Sequence, residues 1–324
     1  MTEGKQRGIL ILGMMRSGTS AMAGILNMLG VKFCRELIEG DIHNSEGYFE
    51  STHIASINSC IFSILDDNFI YNGNFDELIL PEDNWWLNPA LSHAGEEGLA
   101  LIKNEFKGEK IFCLKEPQMS ILFPFWIELL KEAHVEPCII IPLRNPIETA
   151  FSLSRRNKWS PERCLFSWFI HMMNAEYNTR NCPRLFVHFD NIISGPEETV
   201  NLISEIFNIT FPKDFNKELI HKFLQPSLKH HSISHNETRH IVPPFIFDFY
   251  NLLLMTVNRK KIDEEIILQF DSSRRDFYNM YDDKDSYIHH LINYKHYMTE
   301  IYRKTLACHI ENKVLRYMSP VTGG

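Results

Sequence analysis

Residues 8–20 read Gly-Ile-Leu-Ile-Leu-Gly-Met-Met-Arg-Ser-Gly-Thr-Ser, and this stretch restricts the possible folds more than any other. An apolar run breaks at a glycine-bracketed turn, and residues 21–29 continue with apolar side chains at helical spacing. The succession is strand, loop, helix: a turn that aims backbone N–H groups and a helix N-terminus at an anion. Gly13 and Gly18 stand five apart, as in the loop that cradles nucleoside triphosphates, and Thr19 and Ser20 supply hydroxyls. The residue before the final serine is Thr19, where a triphosphatase needs lysine. The cation stands earlier, at Arg16. The loop therefore predicts a site for a phosphate-like group that is not an ATPase site.

Further along, the chain repeats the strand-then-helix pattern. Residues 111–114 and 138–143 are continuous apolar runs, each succeeded by a helical stretch (residues 120–133 and 147–156). Ser160 and Pro161 open a further helix as N-cap and first-turn residue. Residues 184–189 read as another strand, and residues 196–207 as the helix after it. Continuous apolar strands alternating with helices predict a parallel sheet covered on both faces, hence an α/β domain of the P-loop kind with helices on both sides. From about residue 211 the pattern changes to helices, at 245–257 and 264–277, with a long apolar-striped segment over 282–318 that packs on the body or on a partner. The expected organisation is an α/β domain over 1–232 and a helical C-terminal region over 233–324. Residues 58–65 read as helix and 66–93 as irregular, with the Trp85 and Trp86 pair serving burial or lining a pocket.

Composition narrows the partners. A formal net charge of −8 over 324 residues argues against binding nucleic acid or an acidic membrane surface, so a polyanionic ligand must meet locally clustered cations. Seven scattered cysteines without paired Cys-x-x-Cys spacing predict reduced thiols and no metal site. No run approaches membrane-spanning length, and no signal-peptide core follows the N-terminus, which predicts a cytoplasmic protein.

The clustered cations are at hand. Three apolar strands run into a basic residue: Gly13 leads to Arg16, Leu114 to Lys115, and Leu143 to Arg144. In a parallel sheet of this kind ligands bind at the carboxyl ends of strands, so the three converge. Ser152 follows Arg144 by eight residues, on the helix after the same strand. An arginine fork with a hydroxyl nearby is a receptor for a second phosphate, and Arg155 and Arg156 add charge there or solvate a helix face. A kinase of this architecture needs a carboxylate at a strand end to hold Mg²⁺, and these strands end in cations instead. A ligand with two separate phosphate-like ends, bound without metal, fits better.

These residues resemble the sulfotransferases that use 3′-phosphoadenosine 5′-phosphosulfate, and more narrowly the branch whose loop reads Gly-Met-x-Arg-Ser-Gly-Thr-Ser. The resemblance implies that Arg16, Ser17, Gly18, Thr19 and Ser20 hold the 5′-phosphosulfate, and that Arg144 and Ser152 hold the 3′-phosphate. Residues 44–50, Asn-Ser-Glu-Gly-Tyr-Phe-Glu, resemble a second segment of the branch, and Lys115-Glu116-Pro117 its Lys-Asp-Pro. The similarity runs over about residues 8–232. Glu116 replaces an aspartate, Ser45 a proline, and Met15 stands where the branch often has histidine. The Gly-x-x-Gly-x-x-Lys loop of the family is absent, and Lys229, His230 and His231 are candidate substitutes.

The implied reaction is metal-independent in-line sulfuryl transfer to an acceptor hydroxyl or amine, leaving adenosine 3′,5′-bisphosphate. Arg16, Lys115 and the amides of residues 17–19 would stabilise the developing charge. The acceptor needs a general base: Glu50 first, His43 second, then Glu46 or Glu36, with His171, His188, His230 and His231 behind them. The acceptor itself is a carbohydrate, lipid or small metabolite, and the C-terminal helix could join two copies of the chain or dock a partner. Two alternatives stand beside this reading: a nucleoside or nucleotide kinase with an unusual loop, and a non-catalytic nucleotide-binding module.

Overall fold

A computed structural model describes residues 5–41, 47–65, 84–224 and 233–282. The chain divides into two compact units, one of residues 1–233 and 250–262, the other of residues 234–249 and 263–324.

The first unit is built on four parallel strands, β1 (Arg7–Ile11), β2 (Ile111–Lys115), β3 (Glu136–Leu143) and β4 (Arg184–His188), in the order β2-β1-β3-β4. This is the α/β parallel sheet that the alternating pattern predicts. From β1 the chain goes first to one neighbour, β2, and then crosses to the other, β3. The carboxyl ends of β1 and β3 thus flank the switch point, where sheets of this type form a crevice.

Both faces are covered, which is why the strands are apolar throughout rather than alternating. On one face Ile9, Ile11, Cys113, Ile140 and Val187 pack into a single buried cluster. Its other half is supplied by α1 (Thr19–Met28), α8 (Pro196–Phe207) and α9 (Lys217–Phe223). The residues one step along, Leu10, Phe112, Ile139, Ile141 and Phe186, are equally buried and point the other way. That side carries α4 (Met119–Glu132), α5 (Pro146–Asn157) and α6 (Pro161–Asn178), packed on one another. Ser160 caps α6 by accepting from the Arg163 amide, with Pro161 in the first turn, as its sequence predicts.

Two expectations shift. Helix α2 spans Thr52–Leu65 and so begins earlier than residue 58. Within 84–93, Trp85–Leu87 and Pro89–Leu91 form 3-10 turns that lead into α3 (Ser92–Glu105), where the sequence predicts an irregular segment. Trp85 and Trp86 pack edge to face, their ring centroids 5.9 Å apart, and are only half-buried. Trp86 lines a shallow groove with Phe125 and Leu129 of α4.

In the second unit, α10 (His235–Ile241) opens with a reciprocal capping box between Ser234 and Glu237. Phe249, in α11 (Pro244–Thr256), packs on Phe270 of α12 (Glu264–Asp282) with centroids 5.3 Å apart. The striped segment expected over 282–318 lies outside the described residues from 283 onward. No described helix is long and apolar enough to cross a membrane.

Candidate functional site

The loop between β1 and α1 is shaped by backbone conformations that few residues adopt. Gly13 and Gly18 both have φ +101°, and Arg16 between them has φ 69°, a left-handed value that costs about 1–2 kcal/mol in a non-glycine residue. At Gly18 a side chain is also excluded by contact, because a Cβ would stand 2.7 Å from the ring of Phe189. The Gly13 amide donates to Ser120 Oγ at 2.8 Å, tying the start of the turn to α4.

The Ser17 amide donates to the Met14 carbonyl at 3.2 Å, closing the turn. Ser17 is fully buried, its hydroxyl 3.5 Å from that of Thr149. The Ser17 amide, expected to face a ligand, is engaged within the turn in this ligand-free arrangement. Gly18, the N-cap of α1, brings no capping side chain. The amides that head α1 are therefore uncapped, and Gly18, Thr19 and Ser20 all line an open cleft.

That cleft gathers most of the expected residues: Arg16, Gly18, Thr19, Ser20, Glu50, Lys115 and Arg144 are among its lining. Lys115, the last residue of β2, is almost wholly buried. Its ammonium donates to the Tyr48 carbonyl at 2.8 Å, approaches Ser20 Oγ at 3.4 Å, and pairs closely with the Glu50 carboxylate. Glu50, the first-choice base, is thus the counter-ion of Lys115.

Arg144 follows β3 and is equally buried. Its Nε donates to Glu148 Oε2 at 3.0 Å and its Nη1 to the Arg16 carbonyl at 3.3 Å, while the guanidinium lies 4.3 Å over the Phe189 ring. The second Glu148 oxygen accepts the Ile233 amide at 2.9 Å. Ser152 does not reach Arg144 in this arrangement; its hydroxyl accepts from Arg16 Nε at 2.9 Å. Arg16 links the expected pair, its side chain donating to Ser152 and its carbonyl accepting from Arg144.

Behind Lys115 lies a buried polar relay. Trp126 Nε1 donates to Asn58 Oδ1 at 2.8 Å, and Asn58 Nδ2 donates to Glu116 Oε2 at 2.5 Å. Burial, reinforced by the charge of Glu50, pushes the Glu116 carboxyl up to about 8. The Tyr48 hydroxyl donates to Asp41 at 2.7 Å, and burial with that bond raises it to about 12. Burial, with Arg156 next in weight, lowers the pKa of the Arg16 guanidinium.

The weaker base candidates stand elsewhere. Glu36 is exposed and lies 3.7 Å from His53. His171 is fully buried, with its pKa pushed down to about 4 by burial. His43, Glu46, Lys229, His230 and His231 lie outside the described residues. Arg155 is exposed, whereas Arg156 lines the cleft. Met15, Ala21, Tyr48, Phe189 and Phe223 complete the described lining. Among the described residues no three metal-ligating side chains cluster.

No family model matches the chain, and no curated protein matches it. Among solved structures, the sulfotransferase domain of the Synechococcus PCC 7002 olefin synthase is similar. It matches at 13% identity and a TM-score of 0.37, over 85% of this chain and 97% of that one. A likeness that distant carries no weight for what this chain does, which rests on the cleft.

Proposed function

We propose that this chain is a sulfotransferase that moves a sulfuryl group from 3′-phosphoadenosine 5′-phosphosulfate to an acceptor hydroxyl or amine. One observation carries the reading: Arg16, Lys115, Arg144 and the uncapped start of α1 meet in one cleft at the switch point of the sheet. The loop resembles that of the family and lacks a triphosphatase lysine. Its cations sit where a donor with two phosphate-bearing ends would need them.

In this reading the amides of residues 18–20 with Arg16 receive the 5′ end, and Arg144 receives the 3′-phosphate. The acceptor oxygen forms the new S–O bond as the bond from sulfur to the phosphate oxygen breaks, and the displaced electron pair leaves on adenosine 3′,5′-bisphosphate. Arg16 and Lys115 stabilise the negative charge that builds on that leaving oxygen. Glu50 takes the acceptor proton. In the ligand-free cleft Glu50 neutralises Lys115, so Lys115 must turn toward the leaving group before the carboxylate is free to act as base. The same ion pair keeps both groups in place between turnovers.

Calorimetry with adenosine 3′,5′-bisphosphate in EDTA tests the reading. Expected is one site, weakened about 10–100-fold by Arg144→Ala, the range for a hydrogen bond to a charged group. Absence of binding, or equal binding by Arg144→Ala, overturns it.

A further inference from the structure

Glu148, Ser152 and Arg156 succeed Arg144 at intervals of four, so they form one ladder along α5. Each rung already has a use. Glu148 takes Arg144, Ser152 takes Arg16, and Arg156 lies with its guanidinium 4.6 Å over the Tyr48 ring. From Glu148 to Arg156 the ladder advances about 12 Å at 1.5 Å per residue. Arg156 therefore stands past Ser152 and Arg16, at the end remote from Arg144.

Its neighbours there belong to the chemical end of the cleft. The Tyr48 carbonyl holds the Lys115 ammonium, and Glu50, the proposed base, is two residues on. Charge is out of balance at this wall. Among the described residues four cations line the cleft, Arg16, Lys115, Arg144 and Arg156, against one lining carboxylate, Glu50, with Glu148 directly behind Arg144. Arg156 makes no ion pair among the described residues. It is half-buried, close enough to Arg16 that the two charges oppose each other. A guanidinium held on an aromatic face beside a second guanidinium is a receptor for a visiting anion.

We infer that Arg156, seated on Tyr48, is a binding subsite for an oxyanion carried by the acceptor: a carboxylate, sulfate or phosphate near the hydroxyl to be modified. The inference rests on the proposed sulfuryl transfer, because that reading assigns the two ends of the donor to the loop and to Arg144. It narrows the acceptor to an acidic molecule and makes Arg156 a determinant of specificity rather than of donor binding.

The test uses inorganic sulfate as the probe on the full chain saturated with adenosine 3′,5′-bisphosphate. The nucleotide titration comes first, and its failure would sink the sulfotransfer reading itself. Given nucleotide binding, we expect one saturable sulfate site, weakened at least about ten-fold by Arg156→Ala and largely kept by Arg156→Lys, as for loss of a charged hydrogen-bond donor. Nucleotide affinity of Arg156→Ala should stay within about two-fold of the wild type, which also shows that the variant folds. Three outcomes overturn the inference while leaving sulfotransfer standing. These are no sulfate binding to the loaded protein, sulfate binding indifferent to Arg156→Ala, and loss of nucleotide affinity on the scale of Arg144→Ala.

Discussion

Two buried charge clusters lie at different levels of the same sheet, and they are finished differently. One surrounds Glu176, near the end of α6 and against the first residue of β4. There Arg180 donates through Nε and Nη2, at 3.0 and 2.8 Å, and Arg184 Nη2 reaches the same carboxylate at 3.1 Å. Arg184 Nη1 goes on to the Glu176 carbonyl and to Thr179 Oγ1. The other cluster lies past the ends of β1, β2 and β3, and among the described residues it brings four cations and one carboxylate to an open cleft. The first is closed around one carboxylate, with Arg180 forked onto it and Arg184 bound through a single nitrogen. The second is left with positive charge facing solvent. Burial of charge alone does not distinguish a structural network from a binding site; surplus of one sign beside an opening does.

Breaking the closed cluster should have the largest effect on stability. Glu176→Gln leaves Arg184 buried without its counter-charge, which costs about 3–5 kcal/mol for a broken buried pair. Chemical denaturation measures that loss, while adenosine 3′,5′-bisphosphate affinity per folded molecule stays unchanged. A cost under about 1 kcal/mol, or a matching loss of affinity, would erase the distinction between the clusters. The open cluster should respond the other way. Arg16→Ala is expected to slow single-turnover breakdown of radiolabelled donor by about 10²–10³, as for loss of one preorganised donor. Its melting temperature should hold or rise, since burial and Arg156 both work against the Arg16 charge. A fall in melting temperature without loss of rate would place Arg16 among the structural charges.

How far the sequence foretells each cluster depends on the range of the forces involved. Strand ends and the glycine turn are local, so the convergence of Arg16, Lys115 and Arg144 is legible in three apolar runs. The partners of those cations depend on side chains brought from afar. Phe189 lies under Arg144 because β4 ends one residue sooner than its apolar run, and α7 (Phe189–Ser194) begins there. Glu148 does carry a signal, since its spacing of four from Arg144 is that of an ion pair on a helix. The link of Ser152 to Arg16 carries none, because a left-handed Arg16 decides it. Gly24 is a further signal: mid-helix glycine is unfavourable unless something approaches closely. Here a Cβ would overlap the Phe223 ring, which lines the cleft. Gly24→Ala should therefore cost about 1–3 kcal/mol by overpacking, recovered in part by Phe223→Leu in the double variant. Purely additive losses in that cycle would remove Phe223 as the cause.

The last effect, spread over several pH units, separates the clusters by pH. Glu176 has guanidinium groups on its carboxylate, whereas Glu116, behind the cleft, has the Asn58 amide and the repelling charge of Glu50. Its folded pKa of about 8 exceeds the unfolded value of 4.5. Between those values the native state holds a proton that the unfolded chain has released, so this group lowers stability as pH rises, by up to about 1.4 kcal/mol per pH unit. His171 acts in the opposite sense. Its folded pKa of about 4 lies below 6.5, so stability falls as pH drops through that window. The two slopes oppose each other from 4.5 to 6.5 and leave Glu116 uncompensated by His171 from 6.5 to 8. Glu116→Gln keeps the acceptor for Asn58 and removes the titration. Because His171 contributes equally to both proteins, their unfolding free energies should diverge steadily from pH 4.5 to 8 in favour of the variant, then run parallel above. Curves parallel throughout would mean that Glu116 ionises as readily in the fold as outside it, with the Lys115 ammonium bridging both glutamates and the cleft less cationic than its lining implies.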